Sequence, residues 1–258
     1  MLGMTFEEKV EEFIKELQDF KKMDNVFNPW QDYDKAHDLD KESSEKRREN
    51  LSKYIKERKD VKYILIAEAP GYQGCHFSGI PMTSERLILD DKNDTYGLKG
   101  LKRTSHYHEQ NNKLAKAKIY TTRYKEGKNI AKTVIKNGFT EPTATIVWKQ
   151  MVDVLQVSTT DFVLWNAFPF HPWSEKYGIL SNRMPNKNEI KDTKDILSKF
   201  ISLFDEKEEI ICIGNTSHNT LSEILKIDSY KGNKVHHPAN GGAKDFRNEI
   251  QALISSHN

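Results

Sequence analysis

Cysteine is scarce in this chain. Its 258 residues contain two, Cys75 and Cys212, which excludes a disulfide framework and any zinc or iron–sulfur site that needs four thiolates from this chain. No stretch approaches the ~18 consecutive apolar residues of a membrane-spanning helix. The first residues, MLGMTFEEKVEEF, are acidic where an export leader needs a basic start and an apolar middle, so a cytoplasmic location is expected. Hydrophobic residues make up 36% and mean hydropathy is −0.75. The core must therefore be concentrated in a few segments, with a heavily solvated surface or polar insertions around it. Net charge is also small, at +2, but it is unevenly distributed. Between Lys99 and Gly138 eleven basic residues face two acidic ones. His106, Tyr107, His108, Tyr120 and Tyr124 are interleaved with them, a mixture of phosphate-neutralising and stacking groups that suits a nucleic-acid strand, as it also would a solvated insertion.

The apolar segments that remain are short and alternate in type. Thr5 followed by Glu8 is a capping box, and Phe6, Val10, Phe13, Ile14 and Leu17 recur at helical spacing, predicting an amphipathic helix of four or five turns. A loop over 25–34 and a charged helix over 42–57 follow. Strands are expected at 63–67, 161–167, 209–214 and 234–237, and helices at 143–155, 187–203, 216–226 and 244–257. Strands that alternate with helices imply a doubly wound, mainly parallel four-stranded sheet with helices on both faces. The length suits a single domain, 1–258, with a helical N-terminal extension (1–60) and a basic insertion (90–141).

The stretch from Tyr63 to Glu85 carries the most information. An apolar β-rich run ends in a Pro and Gly turn: Pro70 lacks an amide donor and biases Ala69 away from helix, while Gly71, Gly74 and Gly79 permit close backbone approach. This segment reads as loop up to about Ser84. Loops at the carboxyl ends of parallel strands are where open α/β sheets bind ligands. Four segments fall at such ends, namely 67–71, 165–172, 214–217 and 236–242. Asn166 in the second offers a carbonyl acceptor and an amide donor pair, enough to read a pyrimidine edge; an Asn at a strand end also caps turns. His236 and His237 in the fourth place imidazole on a tight loop, where it can stabilise a developing oxyanion or serve only structure.

The runs AEAPGYQG, GIPMTSE, WNAFPFHP, NRMPNKNE, IICIGNTSHNTL and HHPANGG, in this order, resemble the uracil-DNA glycosylase superfamily. The likeness is to the branch whose first motif reads GEAPG, and it spans Tyr63 to the C-terminus around the basic insertion. It implies the same sheet architecture, DNA as partner, a flipped nucleotide, and hydrolysis of the bond between a base and its deoxyribose. It assigns catalysis to Glu68 and His237. It assigns the base pocket to Ala69, Pro70, Gly71, Tyr72, Phe77, Met82 and Asn166, and DNA contacts to Lys102, Arg103, Arg183, His236 and Asn240. No metal or other cofactor and no membrane are expected, and a monomer is.

Three positions depart from that pattern. Relatives orient water with Asp or Asn where this chain has Ala69, which leaves Glu68 as the carboxylate. The GEAPG branch usually holds an iron–sulfur cluster on four cysteines, which this chain lacks. Met82 stands where relatives stack a Phe. The expected activity is a monofunctional glycosylase acting on a uracil-type base. Two alternatives stay open: excision of hydroxymethylated or glucosylated cytosine from viral DNA in antiphage defence, and a non-catalytic DNA-binding module.

Overall fold

The computed structural model describes residues 3–91, 93–105, 118–121, 124–129, 132–204, 209–224 and 233–256. The capping box forms as the sequence requires: the Thr5 hydroxyl accepts from the Glu8 amide, and the Glu8 carboxylate accepts from Thr5. Helix α1 (Phe6–Asp19) follows, with Phe6, Val10, Phe13, Ile14 and Leu17 all buried. A two-residue strand β1 (Val26–Phe27) lies in the segment read as loop. It pairs with β6 (His171–Pro172), a long-range contact that no local pattern encodes. Helix α2 (Ser43–Lys56) precedes the first central strand.

The central sheet consists of β2 (Tyr63–Ala67), β5 (Phe162–Asn166), β7 (Glu209–Ile213) and β8 (Lys234–Val235). Their order is β5-β2-β7-β8, and every neighbouring pair is parallel. All five residues of β2 and of β5 are buried, as expected of strands covered on both faces. The outward amide of Leu164 on edge strand β5 donates to the Tyr54 hydroxyl of α2 at 2.9 Å, so α2 closes that edge.

The connections place the helices. From β5 to β7 and from β7 to β8 the chain moves the same way across the sheet, so right-handed crossovers put α7 (Lys187–Ile201) and α8 (Asn215–Ile224) on one face. The β2 to β5 connection runs the other way and carries α6 (Pro142–Trp148) to the opposite face. Core contacts agree: Trp165 stacks on Phe200 of α7 at 4.1 Å, whereas Phe162 meets Trp148 of α6 at 5.3 Å. Helix α6 continues as a π-helix, Lys149–Val154, and helix α9 (Ala243–Ser256) closes the chain.

The described part of the segment between β2 and α6 contains short regular elements. It holds single-turn helices α3 (Cys75–Ser78) and α4 (Glu85–Leu89), an antiparallel pair β3 (Lys118–Thr121) and β4 (Tyr124–Asn129), and α5 (Lys132–Asn137). The turn at Cys75–Ser78 corrects the loop expectation: past Pro70 and the glycines, four residues without a breaker close one helical turn that Gly79 ends at φ +74°. Arg47 of α2 reaches this region at Thr104, donating to its hydroxyl at 3.3 Å. Fully buried, it pairs with Asp38 at 2.7 Å and donates to Pro29 and Asp32 carbonyls. His106, Tyr107 and His108 lie outside the described residues.

Candidate active site

Parallel register brings the four strand ends into one line. Ala67 pairs with Asn166, Ile66 with Cys212, and Ile213 with Val235. Asn166 therefore ends β5 beside Glu68 at the exit of β2, and Gly214 and Thr216 follow β7 beside His236 and His237 past β8. The exits of β2 and β5 are zipped together: Ala167 donates to the Ala67 carbonyl at 2.8 Å and Phe168 to the Glu68 carbonyl at 2.9 Å.

At these ends one buried side chain and one half-buried one each hold a sealed polar atom without a partner. Asn166 is 1% exposed, and its Nδ2 has no hydrogen-bond partner. Glu68 Oε1 is likewise sealed and unpartnered. Burial raises the Glu68 carboxyl above its ordinary value, and a hydrogen-bonding interaction with Thr216 opposes that rise. A buried donor or acceptor without a partner costs about 1–3 kcal/mol, so such atoms in a strand-end crevice mark where a ligand supplies the missing bonds.

His237 is half-buried, and burial lowers its pKa, so the ring is neutral at pH 7. Nδ1 accepts the Ala239 amide proton at 3.1 Å, which leaves the ring proton on Nε2 as a donor. The loop HHPANGG is built for this pose. A Cβ on Gly214 would lie 3.2 Å from His237 Cβ, and one on Gly242 would lie 2.3 Å from the His237 carbonyl. Asn240 takes a left-handed φ of 55° in the same turn and is exposed.

Several expected site residues are engaged elsewhere. Arg183 grips Glu189 with both guanidinium nitrogens, at 2.8 and 2.6 Å, and donates to the Trp173 and Asn25 carbonyls. With the capping box of Asn186 and Glu189, this gives NRMPNKNE a structural explanation. Asn182 of that run accepts the Tyr72 amide at 3.0 Å and packs on Gly71, latching the first loop. His236 is held by Glu249 through its amide and its ring, each at 2.6 Å. Lys102 pairs with Glu49, and Arg103 donates to the Ile135 and Lys136 carbonyls at 2.6 and 2.7 Å.

Aromatic positions also divide. Phe77 stacks on Phe139 at 5.2 Å, and Tyr72 meets Phe139 edge-on at 5.5 Å, forming a small buried cluster with Ile135 and Leu180. Met82 is 3% exposed and belongs to the main core, with φ at +48°. Its carbonyl accepts from Trp148 Nε1 at 3.2 Å. Ala69 is half-buried and Pro70 buried along the same loop.

The two thiols do not fit a cluster. Cys75 and Cys212 are both in the apolar core, and burial pushes Cys212 up to about 12. Among the described residues no group of three or more His, Cys, Asp or Glu is placed to hold a metal ion. No helix among them is long and apolar enough to cross a membrane.

Sequence reasoning missed three features. One is Thr216 as neighbour of Glu68, although it sits in the strand-end run 214–217. Another is Glu141, whose Oε2 is buried without a partner against Gly74 and whose carboxyl burial pushes up to about 7. The third is a buried chain beneath the first loop. His171 Nε2 donates to the Ser181 carbonyl at 2.8 Å, so its Nδ1 accepts from His76 Nδ1 at 3.0 Å, and His76 Nε2 lies 3.4 Å from Asp34. Scattered over 147 positions or fewer of sequence, these residues share no motif.

No family model matches the chain, and no curated protein does either. Among solved structures it is similar to the crystal structure of wild-type Pedobacter heparinus SMUG2, with a TM-score of 0.60 and 14% identity over 99% of each chain. The two proteins share a fold along their whole length.

Proposed function

We propose that this chain is a DNA glycosylase of the uracil-DNA glycosylase superfamily, which flips a pyrimidine out of DNA and hydrolyses its N-glycosidic bond. The observation that carries this reading is the alignment, on adjacent strand ends, of the Glu68 carboxylate with its unmatched Oε1, the Asn166 amide with its unmatched Nδ2 and the His237 Nε2–H. The order of the sequence motifs and the fold shared with SMUG2 support it.

The chemistry follows from charge. As the bond between C1′ and the base nitrogen breaks, its electron pair leaves with the base and the sugar becomes cationic. The Glu68 carboxylate stabilises the cationic sugar and accepts a proton from the water that adds to C1′. The His237 Nε2–H donates to the carbonyl oxygen of the departing base, onto which its negative charge is delocalised. Because the ring is already neutral, it stabilises that charge by a hydrogen bond without first losing a proton. Asn166 reads the base edge, and its Nδ2 gains the partner it otherwise lacks. Pro70, Gly71 and Tyr72 wall the pocket, Tyr72 and Phe77 from an aromatic cluster held rigid by Phe139. No step needs a metal. The protein acts on DNA as a monomer, one domain comprising 1–258, in the cytoplasm.

Met82 favours a second substrate. Its side chain is in the main core, so no flat group from that position covers the base, which suits a bulkier hydroxymethylated or glucosylated cytosine. Excision of such bases from viral DNA would make the enzyme an antiphage defence. The test is release of free base, read by mass spectrometry, from DNA containing uracil, hypoxanthine, hydroxymethylcytosine or glucosylated hydroxymethylcytosine. Release from none of them, with DNA binding intact, would leave the non-catalytic module as the answer.

A further inference from the structure

Helices α7 and α8 both begin at the carboxyl edge of the sheet and run back along one face, so they lie parallel. Each presents an i, i+3, i+4, i+7 stripe to the other: Lys187, Ile190, Lys191 and Lys194 from α7, with Thr216, Asn219, Thr220 and Glu223 from α8. Such spacing keeps four residues on one helix face. Between the stripes lies a groove of about 650 Å³. The three lysines are exposed and, among the described residues, take part in no ion pair. Of the other α7 charges, Asp192 pairs with Lys21, Glu189 with Arg183 and Lys199 with Glu16, while Asp195 is exposed. Among the described residues that line the groove, Glu223 is the acidic one.

We propose that this groove binds the phosphate backbone of the DNA strand flanking the flipped nucleotide, with Lys187, Lys191 and Lys194 each neutralising a phosphate. The proposal rests on the glycosylase reading and gives its substrate a track. Two observations point to a strand. The groove ends next to the candidate site in the chain's fold, because Thr216 lines it and interacts with Glu68. Its charges are also spaced for a polyanion: seven residues of helix put Lys187 and Lys194 about 10.5 Å apart along the axis. That is about three steps of a strand carrying one charge per ~3.4 Å. An acidic protein segment is the competing occupant, but it would have no reason to end at Glu68, a carboxylate.

The test is the salt dependence of binding to uracil-containing single- and double-stranded DNA, compared between the wild type and K187Q/K191Q/K194Q. A control, K9Q/K15Q/K149Q, removes three exposed lysines elsewhere. The slope of log K against log salt should fall in magnitude by about 2 to 3 in the groove variant, from roughly 0.7 to 0.9 per lost phosphate contact, and stay unchanged in the control. An unchanged slope in the groove variant, or an equal fall in the control, would overturn the proposal. So would displacement of polyglutamate from the wild type, but not from the groove variant, at salt where DNA binding is equal in the two. Binding does not depend on base release. An inactive wild type that binds DNA with the expected slopes would therefore sink the glycosylase reading and keep the track, whereas active protein with equal slopes would sink the track alone.

Discussion

The Ala239 amide donates to His237 Nδ1 at 3.1 Å, which fixes the proton of the neutral ring on Nε2. One backbone hydrogen bond thus decides which ring nitrogen remains a donor. If that donor stabilises the departing base, His237→Ala should lower single-turnover base release by about 10²- to 10³-fold, the cost of removing one such donor. DNA affinity should change little. A loss smaller than about threefold would remove His237 from the chemistry.

Glu68 gives a pH limb. Its active form is the carboxylate, and burial raises its pKa, so base release should fall as pH drops through a value above the ordinary carboxylate range. Glu68→Gln should lower base release by at least about 100-fold and abolish that limb. A limb that persists in the variant would belong to another group.

Glu141 makes a prediction about stability. Burial pushes its carboxyl in the folded state up to about 7, from an ordinary value of 4.5. A raised acid pKa means that the neutral form is favoured by folding. Its contribution is complete below about pH 4.5 and is lost as pH rises through about 7, amounting to roughly 3 kcal/mol. Urea unfolding at pH 5 and pH 8 should show that Glu141→Gln raises stability at pH 8 and has little effect at pH 5. Equal effects at both would show that the carboxyl is ionised throughout.

Gly74 and Glu141 are coupled by space. A Cβ on Gly74 would lie 2.0 Å from Glu141 Oε2. Gly74→Ala should cost about 1–3 kcal/mol through that clash, and most of the cost should vanish in a Glu141→Ala background. Additive single-site costs would instead place the strain in the Gly74 backbone.

Arg47 and Asp38 are both fully buried. Removing one partner leaves an uncompensated buried charge, so Asp38→Ala should destabilise by about 3–5 kcal/mol. A midpoint shift in urea worth less than about 1 kcal/mol would show that the Pro29 and Asp32 carbonyls suffice to hold the guanidinium.

Much of the scaffold was legible because its signals are local. Apolar runs with flanking breakers marked β2, β5 and β7 within a residue or two, a capping box at Thr5 marked where α1 starts, and helical spacing marked α7. The β1–β6 pair was not legible, since a two-residue strand carries no period and forms only because His171 comes back beside Phe27. The motif residues needed sorting that chemistry alone could not provide. Asn166 and Arg183 are equally polar and equally part of the motif series. Yet one ends a central strand with its amide unmatched, and the other is consumed by Glu189.

The sequence by itself determined the alternation of strands and helices, the four strand-end segments, and the residue types available for carboxylate, amide and imidazole chemistry. Periodicity and turn residues act over a few positions, and those features need no more. Tertiary structure alone decided that Glu68 neighbours Thr216, that Met82 faces the core, and that three lysines of α7 line a groove with Thr216. Each depends on parallel register and crossover handedness, which bring together residues separated by up to 170 or so positions. Burial then changes what those residues can do, because desolvation and unmatched hydrogen bonds exist only once the chain has closed around them.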